Sequence, residues 1–163
     1  MSKSSARRIA DRRAAMKPAP VRPEPTADLR YLIDNSVWAR VPTSPTIAQR
    51  VADIQRDHTI CVTTAQMVEH GYSARNPVEL DASHRAMSTF TVLHMSPTTH
   101  TVALGIQQRL WHNGLIRSAG AFDTLIAAVA IEHDVTVLHY DRDFEHIASV
   151  VSEFREESLV DLG

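Results

Sequence analysis

Cysteine is almost absent from this chain of 163 residues, in which Cys61 is the single example. No internal disulfide can form, which is typical of proteins that work in a reducing cytosol. Because Cys61 lies within the apolar run Thr59-Ile60-Cys61-Val62, we interpret it as a core residue and not as a nucleophile. A thiolate zinc site needs several cysteines, and the nine histidines are scattered without a His-Glu-x-x-His pattern. The sequence therefore gives no indication of a zinc enzyme.

Glycine is also scarce, with five residues in the chain. Neither a Gly-x-Gly-x-x-Gly fingerprint nor a Walker-type loop is present, which argues against a nucleotide cofactor and against a P-loop NTPase. The Gly-x-Ser-x-Gly elbow of serine hydrolases is missing too. No run approaches the roughly 18 apolar residues of a membrane span, and the N-terminus lacks the apolar segment of a secretory signal. We therefore expect a cytoplasmic protein that does not bind membranes.

The charged residues are distributed unevenly, although the formal net charge is only −2. Residues 1–30 contain eight Lys and Arg against three Asp and Glu, whereas residues 31–163 contain nine bases against sixteen acids. Prolines at positions 18, 20, 23 and 25 favour an extended linker. We predict a flexible, basic, Pro-rich N-terminal extension over residues 1–28 and one domain over residues 29–163. The extension is either a solvated tail or an arm that helps to bind nucleic acid.

After residue 28, strand-like apolar runs alternate with segments that have helical periodicity. Strands are predicted over residues 30–35, 59–62, 92–95, 135–139 and 158–162, and helices over residues 46–56, 64–75, 77–90, 97–112, 121–133 and 143–149. Ser36 is predicted to cap a short helix that holds Val37 and Trp38. This alternation indicates an α/β fold with a mainly parallel central sheet that is covered by helices on both faces.

Three aromatic side chains have two interpretations each. Trp38, Tyr72 and Trp111 could stack on nucleic-acid bases, but packing in the core is the better default. Tyr72 is expected on the buried face of its helix together with Ala65 and Val68, because these residues are spaced at helical intervals.

Acidic residues stand at the ends of several apolar segments. Asp34 follows the first strand, Glu69 lies on the helix after the second strand, Asp123 opens the most apolar helix, and Asp141 and Asp143 follow the fourth strand. Ligands of an open parallel sheet bind outside the carboxyl ends of its strands. If these strands are neighbours, the carboxylates converge there, and protons or a cation must offset their repulsion. A cluster of oxygen ligands suits Mg²⁺ or Mn²⁺ and indicates metal-assisted phosphate chemistry.

Each acid also has an ordinary structural explanation. Asp34 could cap the turn after its strand, Glu69 could be a solvated helix residue, and Asp123 could interact with the dipole of its helix. Asp141 and Asp143 could form a turn or cap the next helix. The acids follow two strands, lie on the first helix after the second strand and open the most apolar helix. This combination favours one shared site over separate explanations.

These segments resemble those of a known family, the PIN-domain ribonucleases, and more closely those of the VapC toxins of bacterial toxin–antitoxin pairs. The resemblance covers about residues 30–163 and rests on four segments in order, namely 31–37 with Asp34, 64–69 with Glu69, 122–130 with Asp123, and 138–144 with Asp141 and Asp143. The third segment is the most specific. Asp141 fits the family pattern better than Asp143, which is the alternative fourth acid. The extension over residues 1–28 departs from the pattern, because such toxins are usually compact.

The resemblance implies a PIN-like three-layer α/β/α fold and a Mg²⁺-dependent endoribonuclease, with Mn²⁺ as an alternative ion. Asp34, Asp123 and Asp141 would hold one or two ions, and Glu69 would hold or orient the water that the metal activates. RNA would be cleaved to leave 3′-hydroxyl and 5′-phosphate ends. Four arginines are expected near the site and could contact the RNA, although each could equally be ordinary surface charge: Arg40, Arg75, Arg117 and Arg142.

The resemblance also implies partners. These are a second copy of the chain in a homodimer and a cognate VapB-type antitoxin, whose C-terminal tail would cover the acidic site. Two other functions stay open at this point, a housekeeping PIN-domain nuclease that processes RNA and a non-catalytic module that binds nucleic acid or a partner. Titration with divalent ions separates the last function from the others, because such a module would show no metal-dependent cleavage.

Overall fold

The structure, a computed structural model, describes residues 28–162. The predicted N-terminal extension lies outside these residues, apart from its last position, and stays a prediction. The described part contains five strands: β1 (Arg30–Ile33), β2 (Thr59–Thr63), β3 (Thr91–Leu93), β4 (Thr136–His139) and β5 (Glu156–Ser158). It also contains seven α-helices: α1 (Asn35–Trp38), α2 (Pro45–Asp57), α3 (Thr64–Gly71), α4 (Pro77–Met87), α5 (Thr99–His112), α6 (Ala121–His133) and α7 (Arg142–Val150). A short 3₁₀ helix follows at Val160–Leu162.

All five strands form one parallel sheet in the order β3-β2-β1-β4-β5. The central strand is β1, where Leu32 pairs with Cys61 of β2 on one side and with Val137 of β4 on the other. The chain leaves β1 towards β2 and later returns to its other side as β4, so the strand order reverses at β1. Such a switch point is where open α/β sheets bind ligands. The predicted three-layer α/β/α fold is confirmed.

Two apolar cores lie on opposite faces of the sheet, because successive side chains of a strand point to opposite sides. Leu32, Cys61 and Val137 pack with residues of α5, α6 and α7 in one cluster. Ile33 and Leu138 pack with residues of α1 and α2 in the other cluster. Cys61 is fully buried, which agrees with its interpretation as a core residue.

Helix α6 is the most apolar helix of the fold and carries Asp123 in its first turn. Its interior is buried over five consecutive residues, Ile126 to Ala130, because it lies between the sheet and neighbouring helices. This packing fixes the start of α6 relative to the ends of the strands. Within residues 28–162, no helix combines the length and apolarity needed to cross a membrane.

Two predictions about element ends are wrong. Asp34, and not Ser36, caps α1, and its side chain accepts a hydrogen bond from the backbone N–H of Ser36. The last strand is Glu156–Ser158 and not residues 158–162, where the chain turns into the 3₁₀ helix. The sequence pattern missed this strand because its three residues are polar and only partly buried at the edge of the sheet.

The predicted buried face of α3 is also wrong. Val68 is 48% exposed and Tyr72 is 86% exposed, whereas Gln66 and Gly71 are buried. Gln66 is buried because all of its polar groups are used: Oε1 accepts from the backbone N–H of Thr63, and Nε2 donates to the carbonyl oxygen of Ile33 at 2.8 Å. This turns the apolar residues of α3 outwards.

Of the three aromatic residues expected to pack in the core, one does so and two are exposed. Trp38 packs against Phe90 and donates its indole N–H to the carbonyl oxygen of Ile33, so the prediction of packing is confirmed for it. Tyr72 and Trp111 are exposed, with 52% of Trp111 accessible, so core packing is the wrong interpretation for both.

Candidate active site

Asp34 stands directly after the central strand β1. Its backbone N–H donates to the carbonyl oxygen of Leu138 in β4 at 2.9 Å, which fixes it between the two strands. Its side chain is buried, and Oδ2 accepts the backbone N–H of Ser36 at 2.8 Å. Asp34 therefore caps the turn after β1 and also lies at the carboxyl end of the sheet, so the two interpretations of this residue do not exclude each other. A buried carboxylate with this single side-chain hydrogen bond keeps Oδ1 available for another ligand.

Asp123 lies close to three further carboxylates. Burial is the main reason why its pKa is raised to about 7, and the negative charges of Asp34, Asp143 and Asp141 raise it further in that order. The backbone N–H of Gly120 donates to Oδ2 of Asp123 at 3.2 Å and acts in the opposite direction. The structure thus brings the acids that follow β1 and β4 together with the acid that opens α6.

The two acids after β4 have different roles in the structure. Oδ1 of Asp141 accepts the backbone N–H of Asp143 at 3.1 Å, which makes Asp141 the N-cap of α7. Oδ2 of Asp143 instead accepts the backbone N–H of Gly120 at 3.0 Å, the same donor that binds Asp123. Asp143 is therefore turned towards the acid of α6. The sequence left capping of α7 open between Asp141 and Asp143, and the structure gives it to Asp141.

Glu69 is joined to the acidic site through Asn35. The side-chain amide of Asn35 donates to Oε2 of Glu69 at 2.8 Å and to the carbonyl oxygen of Gln66 at 3.1 Å. Asn35 follows Asp34 in the chain, so these bonds connect the start of α1 to α3. Glu69 itself is exposed to solvent.

The acids have the chemistry of a divalent-cation site but not its finished geometry. Among the residues that the structure describes, no group of three or more His, Cys, Asp or Glu side chains is arranged to hold a metal ion. The side chains of Asp34, Asp123 and Asp143 offer oxygen donors, which suit Mg²⁺ or Mn²⁺, and burial together with the repulsion between neighbouring carboxylates raises the pKa of Asp123. Oδ1 of Asn35 is a buried oxygen without a donor in residues 28–162, next to Asp34 in sequence.

The four arginines expected near the site differ in their contacts. Arg75 follows the end of α3 and forms an ion pair with Glu79 of α4 at 3.0 Å. Arg40 donates to the carbonyl oxygen of Ser36 at 2.7 Å, and its guanidinium lies 3.9 Å from the centre of the Tyr140 ring. Arg117 and Arg142 are exposed and form no ion pair with other residues of the range 28–162. They adjoin the segments that carry Asp123 and Asp143.

A cavity of about 370 Å³ lies beside this site and not at it. It is lined mainly by apolar residues of α5 and α6, with Trp111 at its edge, and by Arg117. None of the acids lines it. Because the carboxylates carry the candidate chemistry, they form the candidate active site, and this cavity does not.

Three supporting residues escaped the sequence analysis. Asn35 and Gly120 hold acids through hydrogen bonds, and His139, which is fully buried, accepts from the backbone N–H of Asp141 at 3.3 Å while its other ring nitrogen contacts Glu156 at 2.8 Å. Asn35 and Gly120 could have been noticed, because they stand one residue after Asp34 and three residues before Asp123. Nothing in the sequence around His139 distinguishes it from the other histidines.

Comparison with known proteins gives consistent matches. The PIN domain family matches residues 31–150. Ribonuclease VapC51 of Mycobacterium tuberculosis (strain ATCC 25618 / H37Rv) is 37% identical over 125 residues, which cover 77% of this chain and 90% of that protein. Ribonuclease VapC21 of the same species is 33% identical over 129 residues, which cover 76% and 90% of the two chains.

Solved structures share the fold at low sequence identity. VapBC2 from Rickettsia felis, bound to a DNA fragment from its promoter, has a TM-score of 0.65 at 14% identity and covers 80% of this chain and 98% of its own. VapBC-1 from nontypeable Haemophilus influenzae has the same TM-score and identity, with coverage of 81% and 99%. These likenesses concern the fold alone.

Proposed function

The chain belongs to the PIN-domain family, and from this premise we propose that it is a VapC-type toxin, an endoribonuclease that cleaves RNA phosphodiesters with the help of a divalent cation. Both relatives described above carry the name Ribonuclease VapC, and the chain spans 90% of the length of each. A likeness over nearly the whole length of those proteins supports the same reaction class.

The observation that carries the proposal is the meeting of carboxylates around Asp123. Burial is the first cause that raises the pKa of Asp123 to about 7, and the charges of Asp34, Asp143 and Asp141, from the segments that follow β1 and β4, add to it. A structural cap or a solvated surface acid does not need three negative neighbours. Such an arrangement costs folding free energy and is typical of sites that bind a cation or perform acid–base chemistry.

Asp34, Asp123, Asp143 and Asp141 are the candidates to hold the cation, which is Mg²⁺ or Mn²⁺. Asp143 shares a backbone donor with Asp123, and Asp141, like Asp34, keeps one carboxylate oxygen outside its capping hydrogen bond. Mg²⁺ usually keeps several waters and binds one or two carboxylates directly, so a complete protein cage is not required. When bound, the cation would neutralise the phosphate charge and lower the pKa of the attacking water.

The other residues of the chain have the following proposed tasks. Glu69, oriented by Asn35, would accept a hydrogen bond from the attacking water and align it with the phosphorus atom. The acidic site repels RNA, so basic side chains must attract the strand. Arg117 and Arg142 are the best candidates because they are exposed and unpaired within residues 28–162, whereas Arg40 and Arg75 are engaged in contacts.

We propose the partners from the same family membership. The related structures are of VapBC assemblies, which supports a VapB-type antitoxin as a partner of this chain, and we propose that this partner covers the acidic site. A homodimer is proposed as well, with the substrate RNA bound in the cytoplasm. Exposed apolar side chains, among them Val68, Tyr72 and Trp111, are compatible with contacts to such protein partners.

The test compares three forms of the protein: the wild type, the Asp123→Asn variant, and the Asp81→Asn variant as a control. Asp81 is an exposed acid on α4, so the same change there removes a charge away from the site. Each form is expressed from an inducible promoter in bacteria, and growth and the 5′ ends of cellular RNA are followed. The purified proteins are also incubated with total RNA in MgCl₂, MnCl₂ or EDTA.

We expect growth arrest and new RNA ends bearing 5′-phosphates for the wild type and for Asp81→Asn, and neither for Asp123→Asn. EDTA should abolish cleavage in vitro. Cleavage that continues in Asp123→Asn or in EDTA would contradict the proposal. Metal-dependent cleavage without growth arrest would indicate a housekeeping nuclease in place of a toxin.

A further inference from the structure

Gly120 stands directly before α6 and donates one backbone N–H to two carboxylates. The nitrogen lies 3.0 Å from Oδ2 of Asp143 and 3.2 Å from Oδ2 of Asp123. Because both oxygens bind the same nitrogen atom, the distance between them cannot exceed the sum of the two hydrogen-bond lengths. A single peptide group in this way connects the acid of α6 with the acid of α7.

A side chain at position 120 would occupy the place of one of these oxygens. A Cβ atom built on Gly120 lies 2.6 Å from Oδ2 of Asp123 and 3.9 Å from Oδ2 of Asp143. The first distance is shorter than non-bonded carbon and oxygen atoms tolerate. The backbone at Gly120 has φ −70° and ψ 163°, which any residue adopts without strain. The position of the carboxylate, and not the conformation of the backbone, thus requires glycine here.

We propose that Gly120 is a positioning residue of the acidic site, which holds the carboxylates of Asp123 and Asp143 side by side so that they can bind one divalent cation. The inference rests on the proposed function, because it assigns Gly120 to the same site. Gly120 acts through the two acids and does not itself touch substrate.

The Gly120→Ala substitution should displace the acid and spare the fold. The atom that must move is the far end of the Asp123 side chain, which can rotate away from the added methyl group, while the backbone can stay in place. Rotation removes Asp123 from the shared donor and from Asp143. Loss of a group that orients a metal ligand typically weakens metal binding about 10- to 100-fold. Misplacement of a catalytic group by about 1 Å can cost roughly 100-fold in rate.

Gly105 offers a matched control for this substitution. It lies inside α5, and a Cβ atom built there meets nothing within 4 Å. Alanine is preferred over glycine in a helix interior, so Gly105→Ala should fold at least as well as the wild type. Both variants therefore add one methyl group, and only one of them adds it against a carboxylate.

The experiment measures Mn²⁺ binding by electron paramagnetic resonance, the melting temperature in EDTA, and kcat and KM on an RNA that the wild type cleaves. For Gly120→Ala we expect a Mn²⁺ dissociation constant raised about 10- to 100-fold. We also expect kcat lowered by a similar factor with KM nearly unchanged, and a melting temperature close to that of the wild type. Gly105→Ala should match the wild type in Mn²⁺ binding and kinetics.

Three outcomes would overturn the inference. Equal Mn²⁺ binding by the wild type and Gly120→Ala rejects the positioning role and leaves the proposed function intact. A melting temperature that collapses together with Mn²⁺ binding makes Gly120 a requirement of the fold and not of the site. Failure of the wild type to bind Mn²⁺ rejects both the inference and the proposed metal dependence.

Discussion

The side-chain amide of Asn35 lies 2.8 Å from Oε2 of Glu69 and fixes an otherwise exposed carboxylate against the start of α1. The same amide group reaches the carbonyl oxygen of Gln66 at 3.1 Å, so both of its hydrogens are used. Asn35 thereby sets the distance between Glu69, which belongs to α3, and Asp34, which belongs to the end of β1.

Replacing Asn35 by Asp should impair RNA cleavage without unfolding the protein. The substitution keeps the shape of the side chain but puts a second carboxylate oxygen against Glu69, and the two charges repel each other. Loss of a residue that orients a site acid typically costs about 10- to 100-fold in activity. Steady-state cleavage of RNA in excess Mg²⁺ measures the effect. The Gln49→Glu variant is the control, because Gln49 donates its amide to Asp53 at 2.9 Å on the exposed side of α2. Similar losses in both variants would contradict a specific role of Asn35.

The two acids after β4 should respond differently to substitution. Asp141→Asn keeps an N-cap of equal quality and should leave the free energy of unfolding nearly unchanged, whereas Asp141→Ala should lower it by about 0.5–2 kcal/mol. Asp143→Asn should spare stability and abolish metal-dependent cleavage, because this carboxylate faces Asp123. Urea unfolding and RNA cleavage measured on the three variants separate these effects. Full activity of Asp143→Asn would return the site role to Asp141.

The contribution of Asp123 to the stability of the metal-free protein should fall as the pH rises from about 4 to about 7. Asp123 has a pKa raised from 3.8 to about 7 in the folded protein. Between these values the folded state keeps a proton on Asp123 that the unfolded chain has released, so this residue lowers the free energy of unfolding as the pH rises, and its effect levels off above 7. Urea unfolding in EDTA at pH 5 and pH 8 tests this. From pH 5 to pH 8 the wild type should lose more stability, or gain less, than Asp123→Asn, and parallel behaviour of both proteins would contradict the assignment.

The affinity for a divalent cation should rise with pH over the same range. Below pH 7 the cation must displace the proton of Asp123, so the apparent Mn²⁺ affinity is expected to increase about tenfold for each pH unit and to level off above 7. Isothermal titration calorimetry in two buffers of different ionisation enthalpy counts the protons released. About one proton should be released per ion at pH 6 and almost none at pH 8. Binding that is independent of pH would show that Asp123 stays out of the cation site.

The sequence was sufficient for the parts of the fold that depend on apolar patterns. The parallel sheet and the helix that carries Asp123 follow from runs of buried residues, and Asp34 could be placed because it ends such a run. Glu69 could be assigned to α3 but not oriented. Its orientation depends on Asn35 and Gln66, whose buried amides look like solvated side chains in a sequence.

Hydrogen bonds and ion pairs of polar side chains explain the errors at α3 and β5. Tyr72 and Val68 were assigned to the core because apolar spacing favours burial, yet Gln66 takes the inner face of α3 by satisfying Thr63 and Ile33. The sequence predicts the last strand too far along the chain because Glu156 and Glu157 are charged. In the structure Glu156 contacts His139 and Glu157 contacts Arg50. A hydrogen bond between residues far apart in the chain leaves no trace in local periodicity.

Main-chain N–H groups, which every residue except proline possesses, hold most of the acids of this site: those of Ser36, Gly120 and Asp143. Natural selection can therefore replace the surrounding side chains extensively while the carboxylates keep their relative positions. Chains at 14% identity with this one retain its fold over nearly their full length. The outer surface of the fold is then free to change without disturbing the geometry of the carboxylates.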